Sequence, residues 1–358
     1  MSLKRWISAE TEFLDLDDPV DLELGGSLPK VRLAYRTWGR PRTTATLVCH
    51  ALTGSADADD WWADLFGPGR AFDPEHDYIV CTNVLGGCYG STGPTSRGPG
   101  AFEPYGGAFP EVTIRDLVHV QARLIDALGI DTLDLVIGGS MGAMQVLEWA
   151  LLYPDRVAAI APIASGPAQS AWGVALSEAQ RQAIKADPNY AGGRYPLGAG
   201  PARGLAAARS MAMISYRSPH NFDVRFGRRR TESGDYEVQS YLRHQGDKLV
   251  NRFDANTYLT LIGAMDSHDV GRGRGSVAEA LGEIHQPALV ISIVSDGLYP
   301  ATEVAEMARH LPNSELTEMD RPHGHDAFLI SAGDVNGHVV DFIARHGLKP
   351  RLRQAANV

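Results

Sequence analysis

The segment LDLVIGGSMGAMQVLEWALLYP, residues 133–154, sets three glycines around one serine, between an unbroken apolar run and a helical apolar pattern. An apolar run without polar alternation reads as a strand buried on both faces. The stretch from Met141 reads as a helix that ends before Pro154. Gly138-Gly139-Ser140-Met141-Gly142 satisfies G-x-S-x-G at that junction, the context in which a strained strand-to-helix turn lifts a serine Oγ out of the sheet. Small neighbours are needed where backbone passes close by. The pentapeptide alone is equally compatible with a glycine-rich turn that merely packs a helix against a strand.

The remainder of the chain extends this pattern in both directions. DLELGG, KVRLAYRTWG, ATLVCHAL and DYIVCTNVLGG read as strands. TIRDLVHVQARLIDALGI reads as a helix with Ile114, Leu117, Val118, Val120, Leu124, Ile125 and Leu128 largely on one face and Gly129 as its C-cap. RVAAIAPIAS is a further buried strand, so strands and helices alternate as in a parallel sheet covered on both faces. From about residue 171 to 282 the rhythm breaks into helical stretches: SEAQRQAIKAD, GLAAARSMAMISYRS and EVQSYLRHQGDKLVNRF. It resumes with QPALVISIVSD, TEVAEMARHL, SELTEM and DVNGHVVDFIARHG. The expected organisation is one core, residues 1–170 and 283–358, carrying a helical lid insertion over 171–282.

Composition narrows the function classes. A formal net charge of −10 over 358 residues disfavours nucleic-acid and anionic membrane partners, because either needs a concentrated basic face. Cys49, Cys81 and Cys88 form no C-x-x-C pair and leave an odd one over, which fits reduced thiols and a cytoplasmic location. The N-terminus lacks an apolar core of signal-peptide length, and no window approaches the roughly 20 apolar residues of a membrane span. No metal-ligand spacing stands out.

A nucleophilic serine needs a base, and the base needs a carboxylate; in this fold type they follow in the order Ser, Asp, His. Asp296 lies just past the apolar run LVISIV, and His323 and His325 just past SELTEM. Asp296 could instead cap the helix begun near Pro300, and either histidine could be an ordinary loop residue. The Met141 amide is the natural first oxyanion donor, and the amide of Leu52 or Thr53, after the strand ending at Cys49, the second. His50 precedes the serine and is expected to brace that loop by hydrogen bonding.

These motifs together resemble the homoserine O-acyltransferases of the α/β-hydrolase fold, especially the homoserine O-acetyltransferases. The likeness spans nearly the whole chain through LAYRTWG, HALTGS, NVLGGCYGSTGPTS, GGSMGAMQVLEWA, GLAAARSMAMISYRS, VSDGLYP and GHDAFL. It implies Ser140 as acyl nucleophile, Asp296 as the acid, His325 rather than His323 as the base, and the Leu52 and Met141 amides as oxyanion hole. It assigns Arg209 and Asp326 to substrate binding, a pairing suited to the carboxylate and ammonium of an amino acid. It also implies acetyl-CoA as co-substrate with no resident cofactor, L-homoserine as acceptor, a ping-pong route within methionine biosynthesis, and a homodimer. Succinyl-CoA as donor and L-serine as acceptor remain open, since they differ by a few pocket contacts. So does an esterase or thioesterase with the same triad, and a catalytically silent binding domain is the remaining alternative. Arg225, Arg228, Arg229 and Arg230 in RFGRRR could meet CoA phosphates or form a solvated charge cluster.

Overall fold

A computed structural model describes residues 7–98 and 100–349. In chain order the first part runs β1 (Glu12–Leu16), β2 (Val20–Asp21), β3 (Ser27–Leu28), β4 (Val31–Trp38), β5 (Thr44–Cys49), α1 (Ala58–Trp61), β6 (Ile79–Thr82), α2 (Ile114–Ala127), β7 (Thr132–Gly139), α3 (Met141–Leu152) and β8 (Ile160–Ile163). Helices α4 (Ala171–Ala186), α5 (Ala202–Tyr216), α6 (Pro219–Arg225), α7 (Glu237–Val250), α8 (Ala255–Asp266) and α9 (Val277–Gly282) follow with no strand among them. The chain then returns through β9 (Ala288–Ile293), α10 (Ala301–His310), β10 (Ser314–Met319), α11 (Ala327–Ile330) and α12 (Ala332–His346).

The main sheet has the order β1-β4-β6-β5-β7-β8-β9-β10. The first three strands pair antiparallel, and β5 through β10 pair parallel. This is an α/β-hydrolase fold with a mostly parallel sheet, as expected. Successive strand residues face opposite layers. Leu47, Val136, Ile160 and Val290 pack with α2, α3 and the helical segment, whereas Val48, Ile137, Ala161 and Ile291 pack with Phe328, Val339 and Phe342. Both faces are therefore dry, which is why these strands carry no polar alternation.

Helix α2 starts on a capping box between Thr113 and Asp116 and stops where Gly129 takes φ 69. The segment DLELGG departs from expectation. Asp21 pairs in β2 while residues 22–26 reverse the chain, with Gly25 and Gly26 at φ 99 and 83 and a Leu22–Gly26 backbone bond of 3.1 Å. Two consecutive left-handed glycines turn that segment into a hairpin tip. Strand β1 sits at the sheet edge and is largely exposed, so it carried too little apolar pattern to be read as a strand.

Helices α4, α5 and α7 approach each other closely at glycines. A Cβ on Gly204 of α5 would meet the Ala183 carbonyl of α4 at 2.6 Å, and one on Gly246 of α7 would meet Ala206 of α5 at 2.9 Å. Among the described residues no helix is long and apolar enough to cross a membrane.

Candidate active site

Ser140 terminates β7 and precedes α3 with φ 57 and ψ −126, a conformation that costs a non-glycine residue about 1–3 kcal/mol. The surrounding contacts impose it. Ser140 N donates to the Ile163 carbonyl at 2.9 Å, and Ala143 N donates to the Ser140 carbonyl at 2.8 Å. Each glycine of the motif has its own reason. A Cβ at Gly138 or Gly142 would lie 2.6 or 2.2 Å from the Cys49 carbonyl, and one at Gly139 would lie 2.5 Å from the Phe328 ring. The elbow is thus pressed against the loop after β5 on one side and against α11 on the other.

Asp296 follows β9, and His325 follows β10, so both arrive at the same carboxyl edge of the sheet as Ser140. His325 Nδ1 lies 2.7 Å from Asp296 Oδ2, and both side chains are buried. The other carboxylate oxygen accepts from the Leu298 and Tyr299 amides at 2.7 and 3.0 Å, so Asp296 also closes its own turn. The imidazole sits among Tyr216, Tyr299 and Phe328, with ring centroids 5.5–5.6 Å away. Burial pulls the His325 pKa down, but the charge and hydrogen bond of Asp296, helped by Asp326, raise it above the ordinary value. Phe328 touches both Gly139 and His325, which brings the serine elbow and the base loop together. His323 bonds Asn221 at 3.2 Å instead.

Leu52 lies in a turn closed by Gly54 N donating to the Ala51 carbonyl at 2.8 Å. Among the described residues its own N–H has no acceptor. Met141 is the first residue of α3, where an N–H has no intrahelical partner. A Cβ on Gly142 would meet the Cys49 carbonyl at 2.2 Å, so the first turn of α3 packs directly on the start of the loop that carries Leu52. His50 braces the turn as expected: Nε2 accepts from Val84 N at 3.2 Å, and Nδ1 lies 2.7 Å from the Ala51 carbonyl. Burial pushes its pKa down to about 4, so it is a neutral strut.

Arg209 lies in α5 and Asp326 beside the base. Arg209 is half-buried rather than an exposed helix residue, with its guanidinium 5.4 Å from the Tyr216 ring centre and a buried Nη1 that has no partner among the described residues. Asp326 is 3.2 Å from Arg217 Nε. Burial raises the Asp326 pKa, while Arg217, His325 and Arg209 hold it down in part. A cation with an unused donor and a partly buried carboxylate therefore share one neighbourhood with His325.

The alpha/beta hydrolase fold family model matches residues 45–332. Homoserine O-acetyltransferase from Chlorobaculum tepidum is 53% identical over 339 residues, which are 94% of this chain and 95% of that protein. This chain belongs to the homoserine O-acetyltransferase family. The crystal structure of homoserine O-acetyltransferase from Bacillus anthracis superposes with TM-score 0.86 at 25% identity, covering 93% of this chain and 97% of that one. Esterase E22 superposes with TM-score 0.85 at 26% identity, covering 93% and 99%.

In this homoserine O-acetyltransferase family member, the helical segment is joined to the loops after β5, β9 and β10. Trp172 Nε1 donates to Gly297 O at 2.8 Å, beside Asp296. Ser218 Oγ donates to Pro322 O at 2.5 Å, near His325. Arg252 donates to Thr53 O at 2.8 Å and to Tyr89 Oη at 2.5 Å, next to Leu52. Arg217 and Arg252 were not legible as site residues, because nothing local distinguishes them from solvated arginines. The RFGRRR arginines are largely engaged nearby. Arg225 lies over Phe226 and Tyr241, Arg228 and Arg230 over Tyr236, and Arg229 pairs with Glu237 at 2.9 Å.

Proposed function

We propose that this chain moves an acetyl group from acetyl-CoA to the hydroxyl of L-homoserine in two half-reactions. In the first, His325 takes the Ser140 proton and Oγ attacks the thioester carbonyl, while the Leu52 and Met141 amides receive the developing oxyanion. The intermediate expels CoA, which leaves as a thiol with the proton from His325. In the second, the homoserine hydroxyl gives its proton to His325 and attacks acetyl-Ser140; the C–Oγ bond breaks, His325 returns the proton to Ser140 Oγ, and the O-acetyl ester leaves. Asp296 stabilises the imidazolium in both. Arg209 takes the acceptor's carboxylate and Asp326 its ammonium group.

The observation that carries this reading is the buried Nη1 of Arg209, which has no partner among the described residues, in the same neighbourhood as the partly buried Asp326 carboxylate. An enzyme that hydrolyses simple esters has no use for a zwitterion clamp. The activity for which the 53% identical relative is named supports the same acyl group and acceptor. A homodimer belongs to the same proposal and is supported by the exposed apolar Ile214 of α5 and Val224 of α6. The esterase reading is kept because of the likeness to esterase E22.

Free-thiol release from acetyl-CoA and from succinyl-CoA, each with homoserine, serine or no acceptor, tests the reading with the wild-type chain and Ser140→Ala. Release that requires acetyl-CoA and homoserine and is lost in the variant supports it. Equal release without an acceptor makes the chain a hydrolase, and the assignment of Arg209 and Asp326 then fails.

A further inference from the structure

Gln145 lies one turn into α3, wholly buried among Met141, Met144, Val146 and Trp149. Most buried polar side chains are hydrogen-bonded, and Gln145 uses both its donors and its acceptor. Its Nε2 donates to two backbone carbonyls, Met141 O at 3.1 Å and His50 O at 3.3 Å. Its Oε1 accepts from Gln121 Nε2 at 2.8 Å. Gln121 in turn donates to Thr82 Oγ1 at 3.0 Å and accepts from Trp149 Nε1 at 2.8 Å. A chain of amides, anchored on β6, α2 and α3, thus ends on two carbonyls.

Those carbonyls belong to the two arms that carry the oxyanion donors. Met141 is itself the residue whose N–H points out of α3, and His50 opens the turn that presents the Leu52 N–H. The two hydrogens of one NH₂ group have a fixed mutual angle, so a single side chain sets the spacing of the two arms. Oxyanion stabilisation depends on donors held in place before charge develops, and small displacements are expensive. We infer that Gln145 is a positioning residue that holds the Leu52 and Met141 amides in register through the His50 and Met141 carbonyls. Without it the His50 carbonyl loses a buried donor, and the loop after β5 is free to move relative to α3. The inference rests on the proposed roles of Ser140, Leu52 and Met141.

The test is single-turnover acylation by p-nitrophenyl acetate, read as nitrophenolate release and as the acetyl mass on Ser140. Inhibition by a trifluoromethyl ketone, which forms an oxyanion on a serine, is measured alongside. Gln145→Met, which keeps volume and loses both donations, is expected to lower the acylation rate about 10- to 100-fold with little change in KM, and to weaken the ketone by a similar factor. Gln121→Met leaves both donations of Gln145 possible; it is expected to lower the melting temperature with a much smaller effect on rate. Should Gln145→Met not fold, Gln145→Glu decides: it keeps the shape but at best one donor, so an acylation rate within about twofold of wild type overturns the inference. The inference is likewise overturned if folded Gln145→Met acylates normally, or if Gln121→Met loses rate and ketone affinity equally. If wild type carries no acetyl on Ser140, the nucleophile assignment fails, and this inference with it.

Discussion

Asp296 grips its neighbours with both oxygens: Oδ2 is 2.7 Å from His325 Nδ1, while Oδ1 is fixed by the Leu298 and Tyr299 amides. The carboxylate cannot swing away, so its charge acts permanently on a base whose burial would otherwise depress its pKa. In the proposed mechanism proton acceptance requires neutral His325, so kcat/KM is expected to fall as pH drops through a value above the ordinary 6.5. In Asp296→Asn the burial remains and the charge is gone. The acid limb of the pH–rate profile is expected to move to lower pH, with the plateau reduced by about 10⁴-fold as in other triads. An unmoved limb would show that Asp296 does not set the base's pKa.

Arg217 is expected to govern acceptor binding through Asp326, its partner at 3.2 Å. Burial raises the Asp326 pKa, and Arg217 is the foremost influence that lowers it. Arg217→Met therefore favours the neutral acid, which attracts an ammonium group weakly. The KM for homoserine should rise tenfold or more, about 1.4 kcal/mol, while acylation in the absence of acceptor changes much less. Steady-state kinetics over a homoserine series, set against single-turnover acylation, separates the two effects.

Glu148 of α3 is buried and binds Arg115 at 3.0 Å and Arg274 at 2.8 Å, linking α3 to α2 and to the loop before α9. Removing the acid takes the carboxylate from Arg274 and leaves Arg115 with Glu23 alone, at 2.8 Å. Glu148→Leu should lose about 3–5 kcal/mol in urea unfolding. Double replacement with Arg274→Met should recover part of that loss, since the guanidinium that loses its carboxylate goes with it.

His268 is buried, neither ring nitrogen has a partner among the described residues, and its pKa is pushed down to about 3 by burial and then by Arg115, Arg272 and Arg274. The unfolded chain binds a proton near pH 6.5 that the folded chain refuses. Stability is therefore fully present above that pH and declines below it, by up to about 1.4 kcal/mol per pH unit from this group. His268→Leu should leave stability at pH 7 nearly unchanged and flatten its decline between pH 6.5 and 4. An equally steep decline in the variant would place the acid sensitivity elsewhere.

Ser140 and Asp296 were legible as candidates because each follows an apolar buried strand, and His325 because it follows the next short strand in the expected order, a one-dimensional signal. The alternation of buried strands and amphipathic helices likewise determined a mostly parallel sheet. That sheet brings the carboxyl ends of β5, β7, β9 and β10 to one edge, so strand-end residues far apart in the chain had to converge. The sequence could not determine which of many arginines face that edge. Arg209, Arg217 and Arg252 acquire their environments from packing between the helical segment and the loops, which leaves no local pattern. The hydrogen-bond chain from Trp149 through Gln121 to Gln145 was hidden for the same reason. It joins α2, α3 and the loop after β5 across a core whose contacts exist only once the chain has folded.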